Sequence, residues 1–379
     1  MKKLGACLVL NNNNFGSMLQ SLATQKALDK FNVEYDLIRY NKKKSIRMVR
    51  RLFNPIMWSD KLLLIKRRIA IMKSKELKMK AMMRESAFHQ FRKDYFHSSE
   101  CVCKGYSELC EAGKKYDIYM VGSDQLWSPS GLETNFYNLM FVDDEKEKFS
   151  YAASFGVKAI PENQRKKTTE YLNRIQKISV RENSASLIVK NLTGRDAEVV
   201  ADPTMLFSAQ EWDEILRTKR IIEEPYILVY FLGDNEFHRR SVNQLKEATG
   251  LKVVLIPMER LETINKGIAD YSSYEWSPVD FVSLIKYADY VCTDSFHGMV
   301  FSTLFHRKFV VFDRYEESSK DNKNTRIESF CTNYGLTNRR YHSDSFTSDI
   351  SDPIDYEHID MLIQTEREKS LSFLKEALE

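Results

Sequence analysis

Short, continuously apolar runs recur along the first half of the chain, and each ends in small polar residues before an apolar pattern of helical period begins. The runs cover residues 4–10, 35–40, 116–121, 148–155, 178–180 and 198–201. Strands that are buried on both faces of a parallel sheet have this character, and helices alternate with them. The first half therefore predicts a βα sheet, and the chain break at Asp202-Pro203-Thr204 places a domain boundary near residue 205.

The second half repeats this pattern. It predicts strands at 226–232, 252–256, 290–292 and 309–312, helices at 241–249, 278–287 and from residue 324, and long amphipathic helices over 354–378. We therefore predict an α/β fold of two Rossmann-like domains, 1–204 and 205–379, that face each other across a cleft. Ligands would bind at the carboxyl ends of the strands.

The stretch from Asp289 to Ser302 joins a strand to a helix through Asp294-Ser295-Phe-His297-Gly298. Backbone N–H groups at the start of such a helix point at whatever binds there. A histidine at this edge can donate to an anion or carry a proton, because imidazole titrates near neutral pH. The alternative is a simple helix cap, with His297 merely buried.

Two loops of the first half carry side chains suited to a sugar. The Asn11–Asn14 loop and Gly16 follow the first strand, but this segment lacks both GxGxxG and a P-loop lysine. Asp124, Gln125 and Trp127 follow a later strand, where carboxylate and amide can bond hydroxyls and an indole can stack on the ring. A turn with Trp127 in the core is the alternative.

Arg181 lies at a further strand-to-helix edge. A guanidinium at this position can donate two parallel hydrogen bonds to a phosphate or a carboxylate group. The alternative is an arginine that pairs with a neighbouring glutamate.

Length and cysteine content indicate the number of domains and argue against a disulfide-rich or zinc-binding protein. A chain of 379 residues suits two domains. Its six cysteines form neither a disulfide framework nor a zinc signature. The apolar run after Met1 is too short for a signal peptide, and no run approaches the roughly 20 residues of a membrane span, so we expect a cytoplasmic protein.

Positive charge is concentrated in residues 41–84. This segment holds 15 Lys or Arg, and its acidic residues are Asp60 and Glu76. Its net charge is therefore +13, whereas that of the whole chain is +4. Cationic helices with apolar residues between them suit the surface of an anionic membrane, which would place the protein on the inner face of the cell membrane. We predict that 41–97 is a basic helical insertion in the first domain, and the alternative to membrane contact is that its apolar side packs on that domain. No recognition motif for nucleic acid accompanies the charge.

Five segments together resemble the polysaccharide pyruvyl transferase family. They are Asn14-Phe-Gly-Ser17, Val121-Gly-Ser-Asp-Gln-Leu-Trp127, Ser179-Val-Arg-Glu-Asn-Ser184, Asp202-Pro-Thr204 and Thr293-Asp-Ser-Phe-His-Gly298. The resemblance implies a glycosyltransferase-B-like fold. It also implies transfer of a carboxyethylidene group (a pyruvate ketal) from phosphoenolpyruvate to a sugar of a cell-surface polysaccharide precursor, which is lipid-linked or nucleotide-linked, with release of phosphate. No cofactor and no metal are expected.

The resemblance implies that Arg181 and His297 bind the anionic groups of the donor. From residue chemistry and position we further expect Ser295, Gly298 and Arg326 on the donor side, and Asn14, Gly16, Asp124, Gln125 and Trp127 on the acceptor side. The same chemistry makes His297 the expected phosphate clamp, general acid or both, and Asp124 the base. Many family members have an arginine where this chain has Ser295, so Arg326, Lys308 or Arg314 is expected to supply the missing charge.

Two other functions remain open at this stage. The first is a nucleotide-sugar glycosyltransferase on the same fold. The second is a non-catalytic glycan-assembly protein that the basic segment anchors.

Overall fold

The computed structural model describes residues 2–41, 74–97, 100–258, 267–315, 324–342, 346 and 352–379. The first sheet contains β1 (Lys3–Cys7), β2 (Glu34–Asn41), β3 (Glu100–Lys104), β4 (Ile118–Asp124), β5 (Glu147–Ala153), β6 (Lys177–Val180) and β7 (Glu198–Val199). The second contains β8 (Tyr226–Tyr230), β9 (Lys252–Leu255), β10 (Tyr271–Ser272), β11 (Tyr290–Thr293), β12 (Lys308–Phe312) and β13 (Arg340–Tyr341).

Helices connect these strands. In chain order they are α1 (Phe15–Lys30), α2 (Lys75–Tyr95), α3 (Tyr106–Lys115), α4 (Glu162–Asn173), α5 (Asn183–Thr193), α6 (Ala209–Leu216), α7 (Glu236–Thr249), α8 (Pro278–Lys286), α9 (Phe296–Leu304), α10 (Thr325–Asn333) and α11 (Tyr356–Leu378). Short 3-10 turns lie at Pro129–Thr134, Pro203–Leu206 and Thr337–Arg339.

Both sheets are parallel and share one topology. Their strand orders are β3-β2-β1-β4-β5-β6-β7 and β10-β9-β8-β11-β12-β13. In each, the order reverses once, between β1 and β4 and between β8 and β11, which is the point where open α/β sheets bind ligands. The prediction of two Rossmann-like sheets is therefore confirmed.

Local sequence explains where the central elements form. All five residues of β8 are buried, which fits the continuous apolar run that a central parallel strand requires. Helix α8 begins with a capping box between Ser277 and Asp280, and Pro278 occupies its first turn. Helix α9 begins at Phe296 because the Ser295 hydroxyl accepts from the N–H of Gly298.

Helix α1 lies at the junction of the two domains. Almost its whole surface is buried, including Ser17, Gln20 and Thr24, whereas a helix on the outside of a domain has one polar face. The Phe15 ring stacks on Phe281 of the second domain at a centroid distance of 5.0 Å. The first turn of α1 is thus fixed against both domains.

The C-terminal helix makes contacts outside the predicted domain 205–379. Helix α11 is one continuous helix, and its second half returns to the first domain. The Ser370 hydroxyl accepts from the N–H of Ala201 at 2.9 Å, and the Phe373 ring lies 6.4 Å from Tyr151. Sequence order missed this because the apolar pattern of a helix does not indicate which domain covers it.

Two further parts of the first half differ from the prediction. Strand β3 and helix α3, residues 100–115, had not been predicted from the sequence, nor had α6 in the second half. The mixed polar pattern of β3 is that of an edge strand, which buries little.

The described part of the basic insertion packs on both domains. Residues 42–73, which carry most of the predicted membrane-binding segment 41–84, lie outside the described residues. In α2, the buried Arg84 donates to the carbonyl oxygens of Pro257 and Tyr274 in the second domain, at 2.9 and 3.4 Å. Phe88 lies against Phe15 at 4.9 Å. None of the helices within the described residues combines the length and the apolar content that crossing a bilayer requires.

Candidate active site

A cavity of about 410 Å³ lies between the domains, at the carboxyl ends of both sheets. It meets β1 and β4 on one side and β8 and β11 on the other, so it covers both points at which strand order reverses. Its volume falls in the range of small-molecule sites. Its walls are formed by Val9, Asn11, Asn12, Asn14, Ser17, Asp124, Gln125, Leu126, Tyr137, Leu232, Ser295, Phe296, His297, Arg314 and Arg326.

His297 lies in the cavity wall, in the first turn of α9. A Cβ atom built on Gly16 would come within 2.1 Å of its Nδ1, so the absence of a side chain at Gly16 lets α1 approach the imidazole. Gly16 was predicted to bind the acceptor. The structure instead gives it a contact with His297 across the domain junction.

The second ring nitrogen of His297 faces a buried carboxylate. Nε2 lies 3.6 Å from Oδ2 of Asp202, and it is closed to solvent and has no hydrogen-bond partner. Asp202 itself is fully buried, and its Oδ1 accepts from the N–H and the hydroxyl of Thr204 at 3.0 and 2.7 Å. This carboxylate therefore has a fixed orientation beside the histidine.

Arg181 lies behind the cavity wall, which corrects its predicted role as a direct donor ligand. Its Nη1 donates to Oδ2 of Asp202 at 2.6 Å, and its Nη2 lies 3.7 Å from Oδ1 of Asp124. The guanidinium carbon lies 4.8 Å from the centre of the Phe296 ring. Arg181 thus joins the two carboxylates of the site, because the fully buried charge of Asp202 and the half-buried charge of Asp124 both require a neighbouring cation.

The charges of the site keep both carboxyl groups ionised. Burial alone would raise the pKa of Asp202, but His297, Arg181 and the Thr204 hydroxyl outweigh it and hold that pKa well below its usual range. Burial likewise opposes ionisation of Asp124, and Arg181, His297 and Arg326 lower its pKa. Asp124 is therefore a carboxylate at neutral pH, as a proton acceptor must be.

Asp124 ends β4 with an unusual backbone. Its φ angle is +75°, a region that costs energy for any residue other than glycine. The Ser17 hydroxyl donates to its Oδ2 at 2.5 Å, and the N–H of Gln125 donates to its Oδ1 at 2.8 Å. The strained turn and these two bonds place the carboxylate in the cavity wall.

Three residues had been predicted to supply the positive charge that is missing at Ser295, and the structure gives each of them a different position. Lys308 begins β12 and therefore lies at the opposite, amino edge of the sheet, so that prediction is wrong. Arg314 reaches the cavity, but its Nε and Nη2 are bound to Asp294, which is fully buried.

Arg326 is the cation of the wall that remains available. Its Nε is buried and has no hydrogen-bond partner, and among the described residues no carboxylate lies within ion-pair distance. Burial and the neighbouring Arg181 lower the pKa of Arg326 to about 10, which leaves it charged at neutral pH.

The two remaining predicted donor residues have different positions. Ser295 lines the cavity, and its hydroxyl caps α9. Gly298 does not line it, and its N–H is bound to Ser295 at 3.4 Å. A Cβ on Gly298 would meet Oγ1 of Thr293 at 2.6 Å, so its predicted donor contact is replaced by a packing role.

On the predicted acceptor side, Asn14 and Gln125 line the cavity and Trp127 does not. Asn14 caps α1 by accepting from the N–H of Ser17, and the Nε2 of Gln125 is buried without a partner. The indole of Trp127 is 4% exposed and lies against Phe155 and Tyr171. The prediction that it stacks on a sugar is therefore wrong, because the ring is part of the core.

Trp127 holds the backbone of Tyr137, a residue of the cavity wall. Its indole N–H donates to the carbonyl oxygen of Tyr137 at 3.0 Å, and Tyr137 lines the cavity. Burial raises the pKa of the Tyr137 phenol, so this hydroxyl stays protonated and can donate.

Sequence reasoning missed Tyr137 and the roles of Ser17 and Asp202. Ser17 and Asp202 both stand in segments noted above, and Asp202 follows β7 at the ligand edge of the sheet, so its position could have marked it. No sequence signal marks Tyr137. Within the described ranges, no three His, Cys, Asp or Glu side chains are placed to hold a metal ion.

Comparison with known proteins gives one family. The family model described as polysaccharide pyruvyl transferase matches residues 14–315. No curated protein sequence matches the chain.

Several solved structures resemble the chain in fold. The UDP-GlcNAc 2-epimerase from Methanocaldococcus jannaschii has a TM-score of 0.51 and 11% identity, over 96% of this chain and 92% of its own. A putative UDP-N-acetylglucosamine 2-epimerase from Listeria monocytogenes has a TM-score of 0.47 and 13% identity, over 96% and 90%. An alpha-glucosyltransferase in complex with UDP has a TM-score of 0.47 and 10% identity, over 99% of this chain and 95% of its own. At 11% identity the likeness to the Methanocaldococcus jannaschii enzyme concerns the fold alone, which has two α/β domains.

Proposed function

The chain belongs to the polysaccharide pyruvyl transferase family, and from this premise we propose that it transfers a carboxyethylidene group from phosphoenolpyruvate to a sugar of a cell-surface polysaccharide precursor. The products are the sugar ketal and inorganic phosphate. The observation that carries the proposal is Arg326, a half-buried residue in the wall of an interdomain cavity, whose guanidinium has neither a hydrogen bond at its closed Nε nor a carboxylate partner among the described residues. The natural complement of such a group is an anion.

The donor fits the charges of this wall. Phosphoenolpyruvate carries phosphate and carboxylate groups, and Arg326, His297 and the hydroxyl of Ser295 line one side of the cavity. Arg314 adds charge nearby, although Asp294 compensates much of it. Arg181 stays behind the wall, where it supports the site electrostatically through Asp124 and Asp202.

The reaction needs one proton donor and one proton acceptor. A proton adds to the methylene carbon of the donor, and the neighbouring carbon becomes oxocarbenium-like. A sugar hydroxyl then forms a C–O bond to that carbon and gives its proton to a base. Cleavage of the bond to the phosphate oxygen releases phosphate, and a second hydroxyl closes the ketal and gives its proton to the departing phosphate.

The residues of the cavity match these two tasks. His297 can supply the first proton, and Asp124, which is ionised, can accept a proton from the attacking hydroxyl. The Asn14 amide, the Oε1 of Gln125 and the Tyr137 phenol offer hydrogen bonds to an acceptor sugar.

The test is incubation of the purified protein with phosphoenolpyruvate and a β-galactoside or an N-acetylhexosamine acceptor. We expect phosphate release together with an acceptor mass that corresponds to the ketal, and loss of both in His297→Gln. Bound donor without phosphate release for every acceptor counts against the proposal. Thermal protection by a uridine diphosphate sugar, with none by phosphoenolpyruvate, would identify a nucleotide-sugar glycosyltransferase instead. Polymer modification that survives His297→Gln in cells would identify a non-catalytic assembly protein.

We also propose that the acceptor is lipid-linked and that α2 helps to place the protein on an anionic membrane. Met79 and Met82 on α2 are 54% and 63% exposed, and the exposed Lys75 and Lys78 stand beside them. Apolar side chains with flanking cations are suited to a lipid surface with negative head groups. The same helix reaches the cavity wall, because Arg92 donates to the carbonyl oxygen of Asn12 at 3.2 Å.

A further inference from the structure

The two ring nitrogens of His297 have opposite surroundings. Nε2 is closed to solvent and faces Oδ2 of Asp202 at 3.6 Å. Nδ1 lies next to Gly16, in the first turn of α1, where no side chain intervenes. His297 lines the cavity, its Nε2 is closed to solvent, and its Nδ1 is not among the closed atoms without a partner, so we take Nδ1 as the nitrogen that faces a bound substrate.

We propose that Asp202 is a positioning residue, which holds the proton of the neutral imidazole of His297 on Nε2 and so leaves Nδ1 as the nitrogen that takes up a further proton and delivers it to the substrate. This inference rests on the proposed function only for the identity of that substrate. Asp202 touches no substrate in this arrangement; it acts through the histidine.

The fixed geometry of Asp202 supports this role. Thr204 occupies Oδ1 with two hydrogen bonds, and Arg181 and Ser123 donate to Oδ2 at 2.6 and 3.3 Å. The carboxylate therefore cannot turn away from the imidazole. An ionised carboxylate only accepts hydrogen bonds, so an N–H at Nε2 is attracted to it and a lone pair there is repelled.

The surroundings of Nδ1 favour the same tautomer. The positive end of the α1 helix dipole lies at its first turn, beside Gly16, and it disfavours a further N–H directed at it. The charges near the imidazole also include Asp124, whose carboxylate lies beyond Arg181. Asp202 belongs to the first domain and His297 to the second, so closure by a few tenths of an ångström would bring the pair into hydrogen-bond range, about 2.7 to 3.2 Å.

Nitrogen-15 NMR of the full chain with labelled histidine tests the proposal. The chain has seven histidines, and His297→Gln identifies the signal of His297. At a pH where the imidazoles are neutral, we expect the wild-type His297 to carry its proton on Nε2. In Asp202→Asn we expect a mixture of tautomers, because an amide presents both a donor and an acceptor.

Thr204→Val is the matched control. It removes a hydrogen bond from the other carboxylate oxygen of Asp202 and leaves the charge and Oδ2 in place, so the Nε2–H tautomer should persist. Where the proposed reaction is measurable, Asp202→Asn should lower kcat by about 10²-fold or more, with a smaller change in KM.

Two results overturn the proposal: a wild-type His297 with its proton on Nδ1, or an Asp202→Asn spectrum identical to wild type. If Asp202→Asn does not fold, the wild-type spectrum alone decides. The measurement needs neither donor nor acceptor. An absence of phosphate release therefore contradicts the proposed function and leaves the tautomer result standing.

Discussion

Gly16 and His297 meet across the domain junction at a distance that excludes any side chain at position 16. A Cβ there would lie 2.1 Å from Nδ1 of the imidazole. The first turn of α1 and the first turn of α9 are thus packed directly on each other, and the cavity depends on this contact for the position of its histidine.

We expect Gly16→Ala to damage both stability and donor binding. The new methyl group must displace His297 or separate the domains, and overpacking of this kind costs about 1 to 3 kcal/mol. Thermal unfolding and titration with phosphoenolpyruvate measure the two effects. Gly131→Ala is the control, because its Cβ would find its nearest neighbour, the carbonyl oxygen of Leu126, at 3.7 Å. Equal melting temperatures and equal donor affinities of the two variants would contradict the importance of the contact between Gly16 and His297.

We expect Arg326→Gln to weaken donor binding and Lys308→Gln to leave it unchanged. A hydrogen bond to a charged group contributes about 1.5 to 3 kcal/mol, which corresponds to a roughly 10- to 150-fold rise in Kd. Arg326 lines the cavity, whereas Lys308 lies at the far edge of the second sheet. Calorimetric titration with phosphoenolpyruvate distinguishes the two, and a larger effect at Lys308 would refute the assignment.

We expect Arg181→Gln to destabilise the fold by about 3 to 5 kcal/mol, because Asp202 and Asp124 would lose the cation between them. Urea unfolding measures the change. Arg165→Gln is the control: its ion pair with Glu162 is largely exposed, and such pairs contribute little. A small effect at Arg181, together with a large loss of donor affinity, would restore the direct donor contact that the sequence suggested.

We expect the contribution of Asp202 to the free energy of unfolding to decrease at acidic pH. Its pKa is lower in the folded protein than in the unfolded chain, where it is about 3.9, so the unfolded state binds the proton first as pH falls. The contribution is complete above about pH 4 and decreases below it. Urea unfolding from pH 5 to pH 2 should show a shallower acid decline for Asp202→Asn than for wild type, by up to about 1.4 kcal/mol per pH unit. Asp196→Asn, at a largely exposed carboxylate, should follow the wild-type curve.

We expect the double variant Met79→Ser and Met82→Ser to bind anionic vesicles at least about tenfold more weakly than wild type, because two exposed apolar side chains are lost from α2. Co-sedimentation at low salt measures binding, which should also weaken as salt rises. The control is Leu187→Ser with Met361→Ser, two exposed apolar residues on other helices. If both double variants lose binding equally, α2 has no particular role.

The sequence by itself determined the two sheets and the edges at which the site lies. Continuous apolar runs such as Tyr226–Tyr230, which alternate with helical patterns, are typical of strands buried in a parallel sheet, and each run ends where its polar loop begins. Strand ends predicted His297 and Asp124, and the structure brings both to one cavity together with Arg326, which had been one of three candidate cations. Strand ends are local features of the sequence, so they were sufficient to find the first two residues.

Only the tertiary structure decided what each side chain faces. Arg181 and Trp127 stand at strand edges as predicted, but Arg181 pairs with Asp202 and Trp127 is buried beneath Tyr137, since partners distant in sequence compete for the same side chains. Helix α11 returns to the first domain for a similar reason: its apolar face fits a surface that its position in the chain does not indicate. The contact between Gly16 and His297, 281 positions apart in the numbering, exists because two separately folded sheets meet at their ligand edges.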